Sequence, residues 1–317
     1  HTFYSYIYKF ETLKQIESYM FFIRTLSIFP LSFLYVLSDY IIYPLARYII
    51  RYRLDLVCKN IRTSFPEKSI QEQEAIVNAF YHHLADLLVE IAYAYRVSEE
   101  EMRRRVTFEN IELIEELSRK KHGTIAYLGH MCNWEWIADI GNQFTDKSIV
   151  EYCVYRRLNN PRTDQDMNTI RERRGAICIE KHLLLRKLIE LRKASHPFMI
   201  GLLSDQKPAP NSAQIWTTFL GQETAFLDGG DALAHKFGLG VVFAHITCPK
   251  RGYYHVRLEL LADDPSTMQP GDITLAYAQL LEKNIQEQPH MWLWSHNRWK
   301  WSKTDLANNQ KSKTNKQ

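Results

Sequence analysis

Apolar and polar positions change their rhythm along the chain, and the changes predict its elements. From Thr25 to Ala46 the chain reads TLSIFPLSFLYVLSDYIIYPLA, with Asp39 as its one charged residue. That length reaches across a bilayer core. Pro30, Asp39 and Pro44 interrupt it, so a buried or interfacial hairpin of helices fits as well as a clean span. Ile70, Ile76, Val77, Phe80, Leu84, Leu87, Leu88 and Ile91 then recur at helix spacing, which predicts a long amphipathic helix over 69–95. His82, His83, Asp86 and Glu90 fall within it, and they read as polar residues on its solvent side rather than as a metal site.

After residue 107 short apolar runs alternate with helical patterns. Strands are predicted at 123–129, 148–154, 176–179, 197–203, 240–247 and 253–260, and helices at 109–121, 134–144, 161–174, 181–194, 228–238 and 271–288. Such alternation argues an α/β sheet with helices on its faces. The whole divides into an amino-terminal membrane-anchoring or interfacial segment at 1–64, an α/β domain at 65–301 and a polar, disordered tail at 302–317.

Composition adds three limits. The formal net charge of +4 is too weak to argue for nucleic acid, and no basic-aromatic stripe supports that class. Mean hydropathy of −0.34 is that of a folded globular chain, not of a polytopic membrane protein. The five cysteines are odd in number and hold no C-x-x-C pair, which disfavours both a disulfide framework and a zinc site. Arg47, Arg51, Arg53, Lys59 and Arg62 follow the apolar segment. They put its carboxyl-terminal side in the cytoplasm if it spans, and on anionic head groups if it lies flat.

The candidate chemistry sits at strand ends, where ligands bind in open α/β sheets. His130-Met-Cys-Asn-Trp-Glu135 follows the apolar run Gly123–Gly129. A histidine with a carboxylate five positions on has the layout of a general base and an orienting partner, provided the histidine lies on the strand-to-helix turn. Cys132 reads as a small apolar filler rather than a nucleophile. Arg156 leaves the strand at 148–154 and offers a forked donor to phosphate or carboxylate oxygens. Asp205 ends the strand at 197–203, where it orients a substrate, pairs with an arginine or caps the strand. Phe219-Leu220-Gly221 and Gly229-Gly230 read as tight turns, near a ligand or otherwise. The aromatic run Trp292–Trp299 suits either a membrane interface or the core.

HMCNWE resembles the H-x4-D/E motif of the glycerolipid acyltransferases, and its Asn-Trp-Glu form resembles the bacterial lipid A biosynthesis acyltransferases, the late lauroyl and myristoyl transferases. The similarity runs from Leu37 to Lys300 through LSDYIIYPLARY, NIRTSFPEKS, HHLADLLVE, YRRLNNPRTD, RERRG, SDQ, FLG and LWSHNRWK. It implies a glycerolipid-acyltransferase-like mixed sheet flanked by helices. It also implies an inner-membrane enzyme with its catalytic domain on the cytoplasmic side. Such an enzyme moves an acyl chain from acyl carrier protein thioester to a hydroxyl of a phosphorylated glycolipid, without metal or organic cofactor. Carried over by position, His130 is the base and Glu135 its partner. Arg156 and Asp205 match positions that shape the active site, and Asn133, Asn160 and Arg171 match polar positions of the motifs. The sequence departs from the family pattern after FLG, where it reads QETAFLDGG, and at Cys132. These departures bear on acceptor and chain length, and a lysophospholipid or another glycolipid is the alternative acceptor.

Overall fold

A computed structural model describes residues 25–121, 123–158, 160–210, 212 and 214–304. The start of the predicted anchoring segment, 1–24, and the predicted tail beyond Thr304 lie outside the described residues. Among the described residues, the helices of seven residues or more are α1 (Leu31–Leu37), α2 (Leu54–Ser64), α3 (Ile70–Tyr93), α4 (Glu99–Arg105), α5 (Glu112–Lys121), α6 (Pro161–Glu172), α7 (Leu184–Ala194), α8 (Gly229–Phe237) and α9 (Asp272–Glu287). The strands are β1 (Val106–Glu109), β2 (Thr124–Leu128), β3 (Val150–Tyr155), β4 (Ile177–Glu180), β5 (Phe198–Leu203), β6 (Gln214–Phe219), β7 (Gln222–Leu227), β8 (Gly240–Lys250) and β9 (Tyr253–Ala262).

Seven strands form one sheet in the order β1-β9-β8-β2-β5-β3-β4. Every neighbouring pair is parallel except β8–β9, which is antiparallel. The predicted α/β class is therefore the observed one, a mixed and mostly parallel sheet flanked by helices. β2 lies between β8 and β5 and is buried at all five positions, as a central parallel strand covered on both faces should be.

The helices carry their own start signals. Ser69 and Glu72 close a capping box at the head of α3. Ser98 caps α4, whose first turn holds Glu99, Glu100 and Glu101 and whose last holds Arg103, Arg104 and Arg105, in the sense the helix dipole favours. The predicted helix over 134–144 is broken into a 3₁₀ turn at Trp136–Asp139 and one α-helical turn at Ile140–Gln143. Residues 214–227, where the sequence pattern predicts no strand, form the hairpin β6–β7. Leu220 (φ 50°) and Gly221 (φ 71°) make its two-residue connection, and two successive left-handed positions suit the twist of a hairpin. FLG is thus a turn signature, and it sets Phe219 and Phe226 edge to face in the core.

The amino-terminal segment is helical but not one straight helix. α1 continues through wider π-type turns at Ser38–Ile42 and Leu45–Ile49, then bends by 85° into α2. Among the described residues no single helix is long and apolar enough to cross a membrane, though the bent pair Leu31–Ile49 and Leu54–Ser64 has the length and composition together. Its polar groups face α3. Ser38 Oγ donates to Asp86 (2.5 Å), Tyr35 Oη donates to Glu90 (2.6 Å), and Arg251 bridges Asp39 and Asp86.

His83, Asp86 and Glu90 lie on the buried side of α3, which corrects their expected place on its solvent side. For Asp86 and Glu90 their partners explain it, because a buried polar group is tolerated when it is hydrogen-bonded, whereas His83 Nε2 is buried without a hydrogen-bond partner among the described residues. Burial pushes Glu90 up to about 7 against the hydrogen bonds from Tyr254, Tyr35 and Asn133, and pushes His83 down to about 4. Among the described residues no cluster of three metal-ligating side chains occurs.

Glu151 on β3 gives a measurable pH dependence. It is 4 % exposed and accepts the Gly141 N–H at 3.0 Å. Burial raises its carboxyl to about 8. As pH rises from the ordinary carboxylate range towards 8, the unfolded chain has already released the proton that the folded chain still binds. Stability contributed below that window is therefore lost across it, by ~3 kcal/mol at pH 7. Glu151→Gln keeps an acceptor for Gly141 and does not titrate. It is expected to flatten the melting temperature between pH 5 and 8, and a slope equal to the native one would refute the assignment.

Candidate active site

β2 and β5 are parallel neighbours paired Leu128 to Leu203, so His130 and Asp205 each leave the sheet two residues past the same register point. The chain passes through Gly129, where an added Cβ would lie 2.4 Å from a Leu281 methyl and 3.6 Å from Asp205 Oδ2. Absence of a side chain lets the β2 exit press against α9 with the Asp205 carboxylate close by.

Asp205 is 2 % exposed and accepts three hydrogen bonds. The His130 N–H (2.9 Å) and the Trp292 indole N–H (2.8 Å) reach Oδ2, while His130 Nδ1 lies 2.6 Å from Oδ1. Burial alone would raise this carboxyl, but the adjacent imidazole and the three donors hold it down at about 2. An ionised carboxylate only accepts, so Nδ1 carries a proton, and in the uncharged tautomer of that ring the lone pair lies on Nε2. Nε2 lies 3.2 Å from the Gln206 amide nitrogen, which is on the exposed side of the ring, and the Trp134 ring packs edge-on against the imidazole.

The carboxylate hydrogen-bonded to the imidazole is thus Asp205, while Glu135, the partner expected from the H-x4-E motif, makes no hydrogen bond to it among the described residues. Glu135 turns away to Arg171, whose Nε and Nη2 donate to its two oxygens at 2.8 Å each. Arg171, from the RERRG motif on α6, has a side chain only 17 % exposed. Burial alone would lower its pKa, but the Glu135 carboxylate beside it raises it.

The other expected residues take distinct places. Asn133 is fully buried. Its amide donates to Glu90 (2.8 Å) and its carbonyl oxygen accepts from Trp136 N–H, so it ties the motif to α3 and does not reach a ligand surface. Asn160 caps α6, accepting from the N–H groups of Arg162 (2.9 Å) and Thr163 (3.0 Å). Arg156 is exposed just past β3, and among the described residues no hydrogen bond or ion pair joins it to His130. Cys132 adopts a left-handed backbone (φ 53°), is fully buried, and its thiol is pushed well up by burial, as suits a filler and not a nucleophile.

The carboxyl-terminal aromatic run completes the site, a role that sequence reasoning did not assign. Met131 bridges to Trp292, Cys132 N–H donates to Met291 O (2.9 Å), and Leu293 N–H donates to His130 O (3.2 Å). A strand-like clamp therefore holds the backbone on both sides of His130. Trp292 and Trp294 are buried, so they belong to the core and not to a membrane interface.

A sequence profile described as bacterial lipid A biosynthesis acyltransferase matches residues 9–301. The chain belongs to this family. It is accordingly an acyltransferase, and membership implies an acyl donor and a lipid A-type acceptor. No curated protein matches the chain closely enough to refine that assignment.

Proposed function

We propose that this acyltransferase moves a fatty acyl chain from an acyl carrier protein thioester to a hydroxyl of a phosphorylated lipid A precursor, with His130 as general base. The observation that carries the reading is the His130–Asp205 pair, in which a buried ionised carboxylate fixes Nδ1–H and leaves Nε2 able to accept. Nε2 takes the acceptor hydroxyl proton as the oxygen attacks the thioester carbonyl. The C–S bond of the tetrahedral intermediate then breaks, and the thiolate takes the proton from the imidazolium. No acyl-enzyme forms. The backbone N–H groups of Trp134 and Glu135, which donate to no protein acceptor among the described residues, serve as oxyanion donors, with Arg156 at the rim. Asn160 and Arg171 support the wall through the α6 cap and the Glu135 fork.

In the same reading the amino-terminal segment rests on the cytoplasmic face of the inner membrane. Support comes from its outward side, where Phe33, Tyr40, Ile41, Tyr48, Ile49 and Ile50 are exposed, Tyr40 by 79 % and Ile49 by 73 %. Exposed Arg51, Lys59 and Arg62 follow them. An apolar face bordered by cations fits an anionic lipid interface.

One experiment addresses the acceptor. The full chain on anionic vesicles receives a mixed pool of acyl carrier protein thioesters, a lipid A precursor and a lysophospholipid, and the products are weighed. The precursor is expected to gain one acyl chain. A gain on the lysophospholipid alone would transfer the protein to the alternative reading. On the same vesicles, Ile49→Glu is expected to reduce the bound fraction in sedimentation, and unchanged binding would count against the interfacial placement.

A further inference from the structure

α3 carries a buried carboxylate that the transfer step does not use. Glu90 is 0 % exposed, and among the described residues no cation pairs with it. A carboxylate without a counter-charge is costly to bury, and an apolar side chain would serve packing alone. Three neutral donors hold Glu90, each from a different part of the chain. Tyr35 Oη on α1 donates to Oε1 (2.6 Å), while Tyr254 Oη on β9 (2.6 Å) and the Asn133 amide (2.8 Å) donate to Oε2.

Asn133 carries the junction into the catalytic motif. Its Oδ1 accepts the Trp136 N–H (3.3 Å), and the Trp136 indole N–H donates back to the Glu90 backbone oxygen (3.2 Å). A closed ring of hydrogen bonds, from Glu90 to Asn133 to Trp136 and back to Glu90, thus brackets Trp134 and Glu135. Those two residues carry the N–H groups given the oxyanion role above. Tyr35 carries the junction the other way. Its ring lies under the Arg251 guanidinium at 4.2 Å, and an added Cβ at Gly252 would lie 2.1 Å from its hydroxyl. The missing side chain of Gly252 therefore leaves the opening through which the amino-terminal segment reaches Glu90.

We propose that Glu90 is a positioning residue for acyl transfer, through which Tyr35 of the amino-terminal segment fixes the catalytic turn. The carboxylate touches no reacting atom. It orients Asn133, Asn133 holds Trp136, and the turn between them aims the Trp134 and Glu135 N–H groups, a role that rests on the transfer reading above. An ionised carboxylate only accepts, so three donors can converge on it. A glutamine would set an NH₂ group against one of them.

The test compares four variants of the full chain on anionic vesicles by kcat, KM and thermal melt. They are Tyr35→Phe, Glu90→Gln, the two combined, and Ser38→Ala. The last removes the neighbouring hydrogen bond between the amino-terminal segment and α3, at Asp86, without touching Glu90. Tyr35→Phe is expected to lower kcat about tenfold with KM little changed, and Glu90→Gln to lower it as much or more. The combined variant is expected to fall no more than about twofold below Glu90→Gln, because the hydroxyl acts only through the carboxylate. Ser38→Ala is expected to lower the melt as Tyr35→Phe does while leaving kcat near native. A Tyr35→Phe chain with native kcat and only a lower melt overturns the positioning role. So does an equal kcat loss in Ser38→Ala, which would mean that any loosening of this contact slows transfer. Losses that multiply in the combined variant overturn the route through Glu90. Failure of the transfer reading looks different, because His130→Ala would then keep native turnover. Failure of the junction alone leaves His130→Ala inactive and Tyr35→Phe native-like.

Discussion

Asp205→Asn is expected to lower kcat for acyl transfer by about 10³- to 10⁴-fold with KM little changed. The carboxylate accepts from Nδ1–H, so it dictates which imidazole nitrogen is free to act as base. An amide can turn its NH₂ towards Nδ1, which moves the ring proton to Nε2 and leaves no lone pair for the acceptor hydroxyl. The charge is lost as well, so the imidazolium formed during attack is less stabilised. Asn still offers one oxygen to the His130 N–H or the Trp292 indole, so the fold should persist. Steady-state kinetics on the lipid A precursor, with a thermal melt alongside, gives the answer. A variant within tenfold of the native kcat would remove Asp205 from the mechanism. His130→Ala is the companion, with a comparable loss of kcat.

Much of this was legible in the residues, and the gaps have physical causes. The central strands were readable because each is a short apolar run bounded by polar turns, and β2 with β5 place His130 and Asp205 at equal offsets. What a single sequence lacks is strand order. Nothing in HMCNWE says that β5 lies beside β2, so the carboxylate nearest in sequence, Glu135, was the natural partner. The hairpin β6–β7 escaped because its strands mix polar and apolar residues without clean alternation, although Leu220-Gly221 marked the turn. The buried polar side of α3 was hidden for a related reason. His83, Asp86 and Glu90 are polar by composition, and only tertiary partners such as Tyr35, Ser38, Asn133, Tyr254 and Arg251 reveal why Asp86 and Glu90 are inside. The role of Trp292 depended on a contact with Met131, far away in sequence, which no local pattern encodes.

Glu135→Ala is expected to cost about 3–5 kcal/mol of stability, because it strands the Arg171 guanidinium in a mostly buried site. The Glu135 and Arg171 side chains are 8 % and 17 % exposed, and the fork between them spans the motif turn and α6. Arg171→Met should cost a similar amount through the unpaired carboxylate. The double variant Glu135→Leu with Arg171→Met removes both charges together, so its loss should fall well short of the sum of the two single losses. Urea denaturation of the singles and the double measures that coupling. Activity then separates two roles that stability alone cannot. If Glu135 acts only by holding the wall of the site, the refolded double variant keeps kcat within roughly tenfold of native, since the His130–Asp205 pair is untouched. If Glu135 takes part in proton transfer, the double variant folds and still fails as completely as Asp205→Asn. The second outcome would restore Glu135 as the catalytic partner of His130 and require the two to meet in a second conformation, with the Arg171 fork released.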